Sequence, residues 1–237
     1  IAVSGTPLEN ITQVSYNIPN FFTKVNLLHH LLKDKTTFNK VLIFVGYKRT
    51  ADLLFKHLEP VFGNESCVIH SNKTQNYRIR SIKQFDAGFN RILLATDVMA
   101  RGLDFDNVSL VGILDADMLL KRPDFRAYER SYQLMSQVAG RAGRKEKRGK
   151  VIIQTADPEH WVIQLVMKHD YFGFYKNEII ERENFFYPPF YKMITLTLKH
   201  KEEFLVDRAA LELAQSLRNV FKERVLGPEF PLIKRIQ

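Results

Sequence analysis

The 237-residue chain is long enough for one large or two ordinary domains, and its 45% hydrophobic and 26% charged content is ordinary for a globular protein. A formal net charge of +9 and a sequence pI near 9.5 favour a polyanionic partner, nucleic acid first. A single cysteine, Cys67, excludes an intramolecular disulfide and a multi-cysteine zinc site and fits a reducing, cytoplasmic compartment; no apolar run approaches the roughly 18 residues of a membrane span.

Residues 12–18 read as a short strand ended by Pro19, and residues 21–33 carry Val25, Leu28, Leu31 and Leu32 at helical spacing. His29 and His30 on that helix are neighbours that point in different directions, so they are not expected to share a metal. Residues 40–45 have the length and aliphatic content of a buried parallel strand, followed by Gly46, Tyr47, Lys48, Arg49 and a helical pattern through Leu58. In a doubly wound sheet, ligands sit at the carboxyl ends of strands, where a helix start offers free N–H groups. Lys48 and Arg49 are therefore either a backbone-phosphate contact or a solvated basic turn.

Residues 66–70 form a third strand and 74–88 a helix with Thr74 as its N-cap and Ile79, Ile82 and Phe85 toward the core. Cys67 belongs in that core beside Val68 and Ile69. Residues 91–96 are the fourth strand, leading into ATDVMARGLD, and 108–114 the fifth. Asp115 and Asp117 share a face at the end of this strand, which reads as solvated carboxylates more than as an acid/base pair. Residues 123–137 form a helix with Phe125, Leu134 and Val138 inward, ending in QVAGRAGR. There, Arg141 and Arg144 stand among glycines, so both forks could reach one phosphate; the rival reading is a solvated loop.

The run from Arg141 to Lys150 is dense in Lys and Arg with one acid, Glu146, a flexible turn that also suits a nucleic-acid contact. It is no P-loop, because five residues separate Gly143 from Gly149 and Val151 stands where Ser or Thr must bind magnesium. A strand over 151–155 and helices over 158–170 and 171–183 follow. Pro188 and Pro189 mark a boundary, after which residues 191–199 alternate as a half-buried strand and 202–224 form an amphipathic helix. We expect an α/β domain of doubly wound parallel sheet over 1–184 and an incomplete small α+β domain over 185–237, with a continuation in a longer parent protein.

The strings ATDVMARGLD and QVAGRAGR together resemble motifs V and VI of the C-terminal RecA-like lobe of superfamily 2 helicases. The resemblance is split. Residues 1–109, with NITQVSY, LIFVGYKRTADLL and TQNYRIR, are similar to a DEAD-box RNA helicase; residues 103–237, with LDADMLLKRPDFRAYERSYQLMSQVAGRAGR and YPPFY, are similar to the primosomal replication-restart helicases (primosomal protein N′). Gln137 and Val138 stand where a DEAD-box protein carries His and Arg, and the zinc-binding cysteines of the restart helicases are missing. The chain thus reads as a chimera of two homologous lobes joined within 102–109.

The resemblance implies one motor lobe of an ATP-dependent helicase, with DNA unwinding at replication restart first, RNA remodelling second, and a non-enzymatic nucleic-acid-binding module third. It implies that Arg141 and Arg144 act catalytically on ATP, which the missing N-terminal RecA-like lobe holds with Mg2+, and that they do so from the sheet edge where motif V emerges. Gly102, Asp104 and Gln137 join them around the nucleotide, Asp104 on a ribose hydroxyl. Nucleic acid is met by Gly46, Lys48, Arg49, Gln75, Arg78 and Thr96, with Asp97 orienting a neighbouring arginine. No metal of its own, no zinc and no membrane contact are expected; primosome proteins are the implied protein partners. Without a P-loop or an acidic DEAD or DEAH string, the chain alone is not expected to hydrolyse ATP.

Overall fold

The computed structural model describes residues 11–230 except 19, 97–104, 106, 123 and 143–148. Among these, six strands form one parallel sheet: β1 (Ile11–Asn17), β2 (Val41–Val45), β3 (Ser66–Ile69), β4 (Ile92–Thr96), β5 (Leu110–Leu114) and β6 (Gly149–Thr155), in the order β1-β6-β5-β2-β4-β3. Their aliphatic runs follow from burial on both faces. Along β2, Val41, Ile43 and Val45 pack with α1 (Phe21–Leu32) and α2 (Lys48–Phe62), while Leu42 and Phe44 join the opposite core. That second core takes Phe85 from α3 (Gln75–Asp86), Leu119 from α4 (Ala116–Leu120), Met135 from α5 (Ala127–Ala139), Val162 from α6 (Trp161–Met167) and Phe174 from α7 (Tyr171–Asn184). The doubly wound α/β lobe is therefore present, and Cys67 is buried with its thiol pushed up to about 12 by burial.

The two stretches with different resemblances interleave. β1 belongs to the DEAD-box-like part yet pairs with β6, Ile11 opposite Gly149, and β5 of the restart-helicase-like part pairs with β2, Val41 opposite Leu110. Ser109 Oγ donates to the Lys40 carbonyl and accepts the Lys40 N–H, sealing the entry to β5. Lys24, 6% exposed, reaches from α1 to Asp115 Oδ1 at 2.8 Å. A continuous sheet across the join is what the shared topology implies.

Several local expectations need correction. α2 runs through Pro60 to Phe62, one turn past Leu58, although Pro60 has no N–H to offer the carbonyl four residues back. Ile79 is 44% exposed, and Ser81 is buried beside Phe85 on the inward side. The helix expected from 123 begins at Ala127, because Asp124 caps a turn by accepting the Arg126 N–H, and Phe125 lies half-buried against Tyr187. The short helix α4 was not anticipated; five residues carry too little periodicity.

By internal contacts the chain divides into Ile1–Tyr187 and Pro188–Gln237. In the second unit α8 (Glu203–Phe221) forms as expected, but residues 191–199 are not a strand. Their alternation supplies the side-chain pattern, whereas a strand also needs a partner for its backbone groups, and the described residues supply none.

Candidate functional site

At the carboxyl edge of the sheet, Val45 pairs with Thr96, so Gly46 and the exit of β4 emerge side by side. α2 starts immediately, with Tyr47 as a cap residue that makes no side-chain capping bond, and its first N–H groups, those of Lys48 and Arg49, lie ahead of the first helical bond from Ala51 to Tyr47. Lys48 and Arg49 are exposed. β3 delivers a second element to the same edge: Lys48 Nζ donates to Asn72 Oδ1 at 2.9 Å, and three residues on α3 begins at Gln75, capped by Thr74 accepting the Tyr77 N–H. Gln75 is exposed and Arg78, half-buried, lies in the first turn. The structure thus joins Gly46, Lys48, Arg49 and Gln75 at one edge. Thr96 is there too but only 3% exposed, so its side chain lies below the surface that the others form. Asp97 lies outside the described residues.

Beneath this surface is a network that motif reading missed. His70, 1% exposed, accepts the Asn72 N–H at Nδ1 (3.3 Å) and approaches Asp52 Oδ1 with Nε2 at 3.0 Å. An acceptor at Nδ1 assigns the proton to Nε2, so the ring donates to Asp52. Lys73 Nζ reaches the same carboxylate oxygen at 3.0 Å. Burial pushes the Asp52 carboxyl up, but the hydrogen bonds from His70 and Lys73 and the Lys73 charge outweigh it and hold it below its ordinary value. The periodicity hinted at none of this; a polar Asp52 one turn after Lys48, beside a histidine ending a buried strand, was the available signal.

The arginine end lies elsewhere. α5 runs back along the sheet, Gln137 exposed in its last turn and Arg141 half-buried just beyond, and Ala142 bridges to Val108, two residues before β5 begins. Lys150, at the start of β6, donates its N–H to the Ser109 carbonyl nearby. Arg141 therefore stands at the amino edge of the sheet, not at the edge where Thr96 leaves β4. The reason is topological: the helix that follows β5 runs back along the sheet, so its end and Arg141 return to the edge where β5 starts. Ahead of β5, Phe105 is 2% exposed, and its ring meets Phe85 edge-on at 4.8 Å with Lys40 Nζ over both rings. Gly102, Asp104 and Arg144 lie outside the described residues.

Asp115 and Asp117 prove architectural. Asp115 pairs with Lys24, and Asp117 accepts the Thr155 hydroxyl at 2.6 Å and the Ala156 N–H at 2.9 Å, clasping α4 to the end of β6. Among the described residues no group of three or more His, Cys, Asp or Glu is placed to hold a metal, and no helix is long and apolar enough to cross a membrane.

The profile of the helicase conserved C-terminal domain matches residues 23–146. The chain belongs to this helicase family. The matched range spans the join. The replication restart protein PriA of Bacillus subtilis is 45% identical over 158 residues, covering 66% of this chain and 20% of that protein, and PriA of Synechocystis is 40% identical over 157 residues, 65% and 19%. This helicase lobe thus spans about a fifth of the length of those curated relatives. Among solved structures it is similar to the C-terminal domain of the DEAD-box protein Dbp5 (TM-score 0.53, 26% identity, 74% of this chain and 99% of that one) and to S. cerevisiae Dbp5 bound to RNA and ADP–BeF3 (TM-score 0.54, 26% identity, 74% and 46%).

Proposed function

We propose that the chain is the second motor lobe of an ATP-dependent superfamily 2 helicase that unwinds DNA in replication restart, working with an N-terminal RecA-like lobe and primosome proteins in the cytoplasm. The observation that carries this reading is that one sheet presents Lys48, Arg49 and Gln75 at its carboxyl edge and Gln137 and Arg141 at its amino edge. At the carboxyl edge, Gly46, Lys48, Arg49, Gln75 and Arg78 take the phosphate backbone, whose charge matches the basic surface, with Thr96 supporting them from below; the motif resemblance gives Asp97 the orienting of a neighbouring arginine. At the amino edge, Gln137 and Arg141 face the nucleotide, and the motif resemblance adds Gly102, Asp104 and Arg144 to the same role. Gln137 and Arg141 present N–H donors from a helix end, which fits reaching toward a phosphate cradled elsewhere. Bound between the lobes with Mg2+, ATP would supply the phosphoryl group, and the arginines would offset the charge that develops as it departs.

In the full-length parent protein, Arg141→Ala should lower DNA-stimulated ATP turnover by about 10³-fold or more while leaving DNA affinity within about threefold. Turnover at the parental rate would remove the arginine from its role. RNA remodelling is the second reading, favoured by the DEAD-box strings of residues 1–109 and the RNA-bound neighbour; comparing ATPase stimulation by forked DNA and by RNA separates the two. A non-enzymatic module would instead bind nucleic acid with the usual salt dependence, unchanged by ATP and a partner lobe. The split resemblance reads as a chimera of homologous lobes, and one native reading frame encoding both halves would refute an accidental origin.

A further inference from the structure

We propose that Asn72 is a phosphate-binding residue of the carboxyl-edge surface and that buried His70 is its positioning residue. The inference rests on the reading of that edge as the nucleic-acid face and adds two residues that no motif there includes. Asn72 is exposed, and its side-chain carbonyl is committed to the Lys48 ammonium at 2.9 Å. That bond turns the amide so that its two N–H donors are directed away from Lys48, next to a lysine suited to the same anion. A neutral donor beside a cation is a common way to grip a backbone phosphate, the cation giving attraction and the amide direction.

What distinguishes Asn72 from a loop residue with a chance partner is the way its backbone is fixed. Its N–H is donated to His70 Nδ1, the Lys73 N–H closes a turn on the His70 carbonyl at 3.0 Å, and His70 is tied through Nε2 to Asp52. Asp52 and Lys48 lie four residues apart on α2 and so share a face. Two bonds thus cross from one helix face to one loop, Lys48 to Asn72 outside and Asp52 to His70 inside. The histidine is buried, so it cannot meet nucleic acid itself; it acts through Asn72.

The test is the affinity of the 237-residue chain for a single-stranded oligothymidylate over a range of salt. Lys48→Ala should weaken binding and lower the salt slope by about 0.7, one phosphate contact on a single strand. Asn72→Ala should weaken binding about fivefold, the worth of one hydrogen bond, with the slope unchanged because a neutral donor releases no counterion. His70→Ala should cost the same factor, the His70→Ala/Asn72→Ala pair no more than either alone, and His70→Gln, which keeps a donor and an acceptor, should restore affinity. Where His70→Ala does not fold, Asp52→Ala takes its place with the same expected non-additivity. Parental affinity for Asn72→Ala while Lys48→Ala is weakened overturns this proposal alone; additive losses overturn the positioning role. Parental affinity and slope for Lys48→Ala overturn the nucleic-acid face and this proposal with it.

Discussion

In the stretch 11–187 Leu54, Phe85 and Leu93 are wholly buried, whereas in 188–230 Phe204 is 73%, Val220 71% and Ile194 86% exposed, and Ala214 is the one core-like side chain among the described residues. Both stretches carry apolar residues at regular spacing, so spacing does not separate them. The lobe has a sheet with helices on each face, and every aliphatic face finds another to cover it. The second unit has one long helix and an extended segment, and a single amphipathic helix cannot bury its own apolar side. Burial is a property of layers, and only the first stretch has enough of them.

The comparison is broken most forcefully in the lobe. Phe85 is fully buried, packs edge-on against Phe105 and lies under Lys40, so Phe85→Ala should cost about 3–5 kcal/mol in chemical denaturation. A loss under about 1 kcal/mol would mean that the core at the amino edge is not packed as described. A smaller effect, of about 1–2 kcal/mol, is expected from acid titration of Glu129. The Arg126 hydrogen bond, helped by Arg182 and opposed by burial, lowers its carboxyl to about 2. A carboxyl depressed by folding contributes stability above its unfolded pKa of about 4.5 and loses it as pH falls toward 2. Unfolding free energy should therefore drop between those values, and Glu129→Gln should flatten the drop while lowering stability at neutral pH. Glu178, bonded to the same Arg182, is pushed up by burial, the opposite direction, so Glu178→Gln should leave the acid drop in place.

What was legible in the sequence is what neighbours along the chain decide. The aliphatic runs at 41–45, 92–96 and 110–114 are strands because that composition suits burial on both sides, and Thr74 caps α3 because its hydroxyl is in reach of the third N–H. Lys48, Arg49 and Gln75 could be placed at strand exits for the same reason. The bond from Lys48 to Asn72 spans 24 residues and that from His70 to Asp52 spans 18, and both depend on β3 lying one strand away from β2, with β4 between them. No local pattern encodes strand order. The same blindness put Arg141 at the wrong edge, since nothing local in QVAGRAGR reveals at which end of the sheet α5 finishes. For residues 191–199 the alternation was real and the missing ingredient was a partner strand.

The smallest expected effect tests the other side of the comparison. Leu211 on α8 is 60% exposed, so Leu211→Ala removes side-chain atoms that already contact water, and the helix loses nothing in propensity by gaining alanine. Its unfolding free energy should stay within about 0.5 kcal/mol of the parent, against about 2–5 kcal/mol for Leu54→Ala in α2. The same chemical change at two helical leucines thus isolates the surrounding layers as the variable. Should Leu211→Ala cost as much as Leu54→Ala, the apolar side of α8 is covered in solution, and the contrast between the two stretches would lie in what each is given to pack against rather than in how each folds.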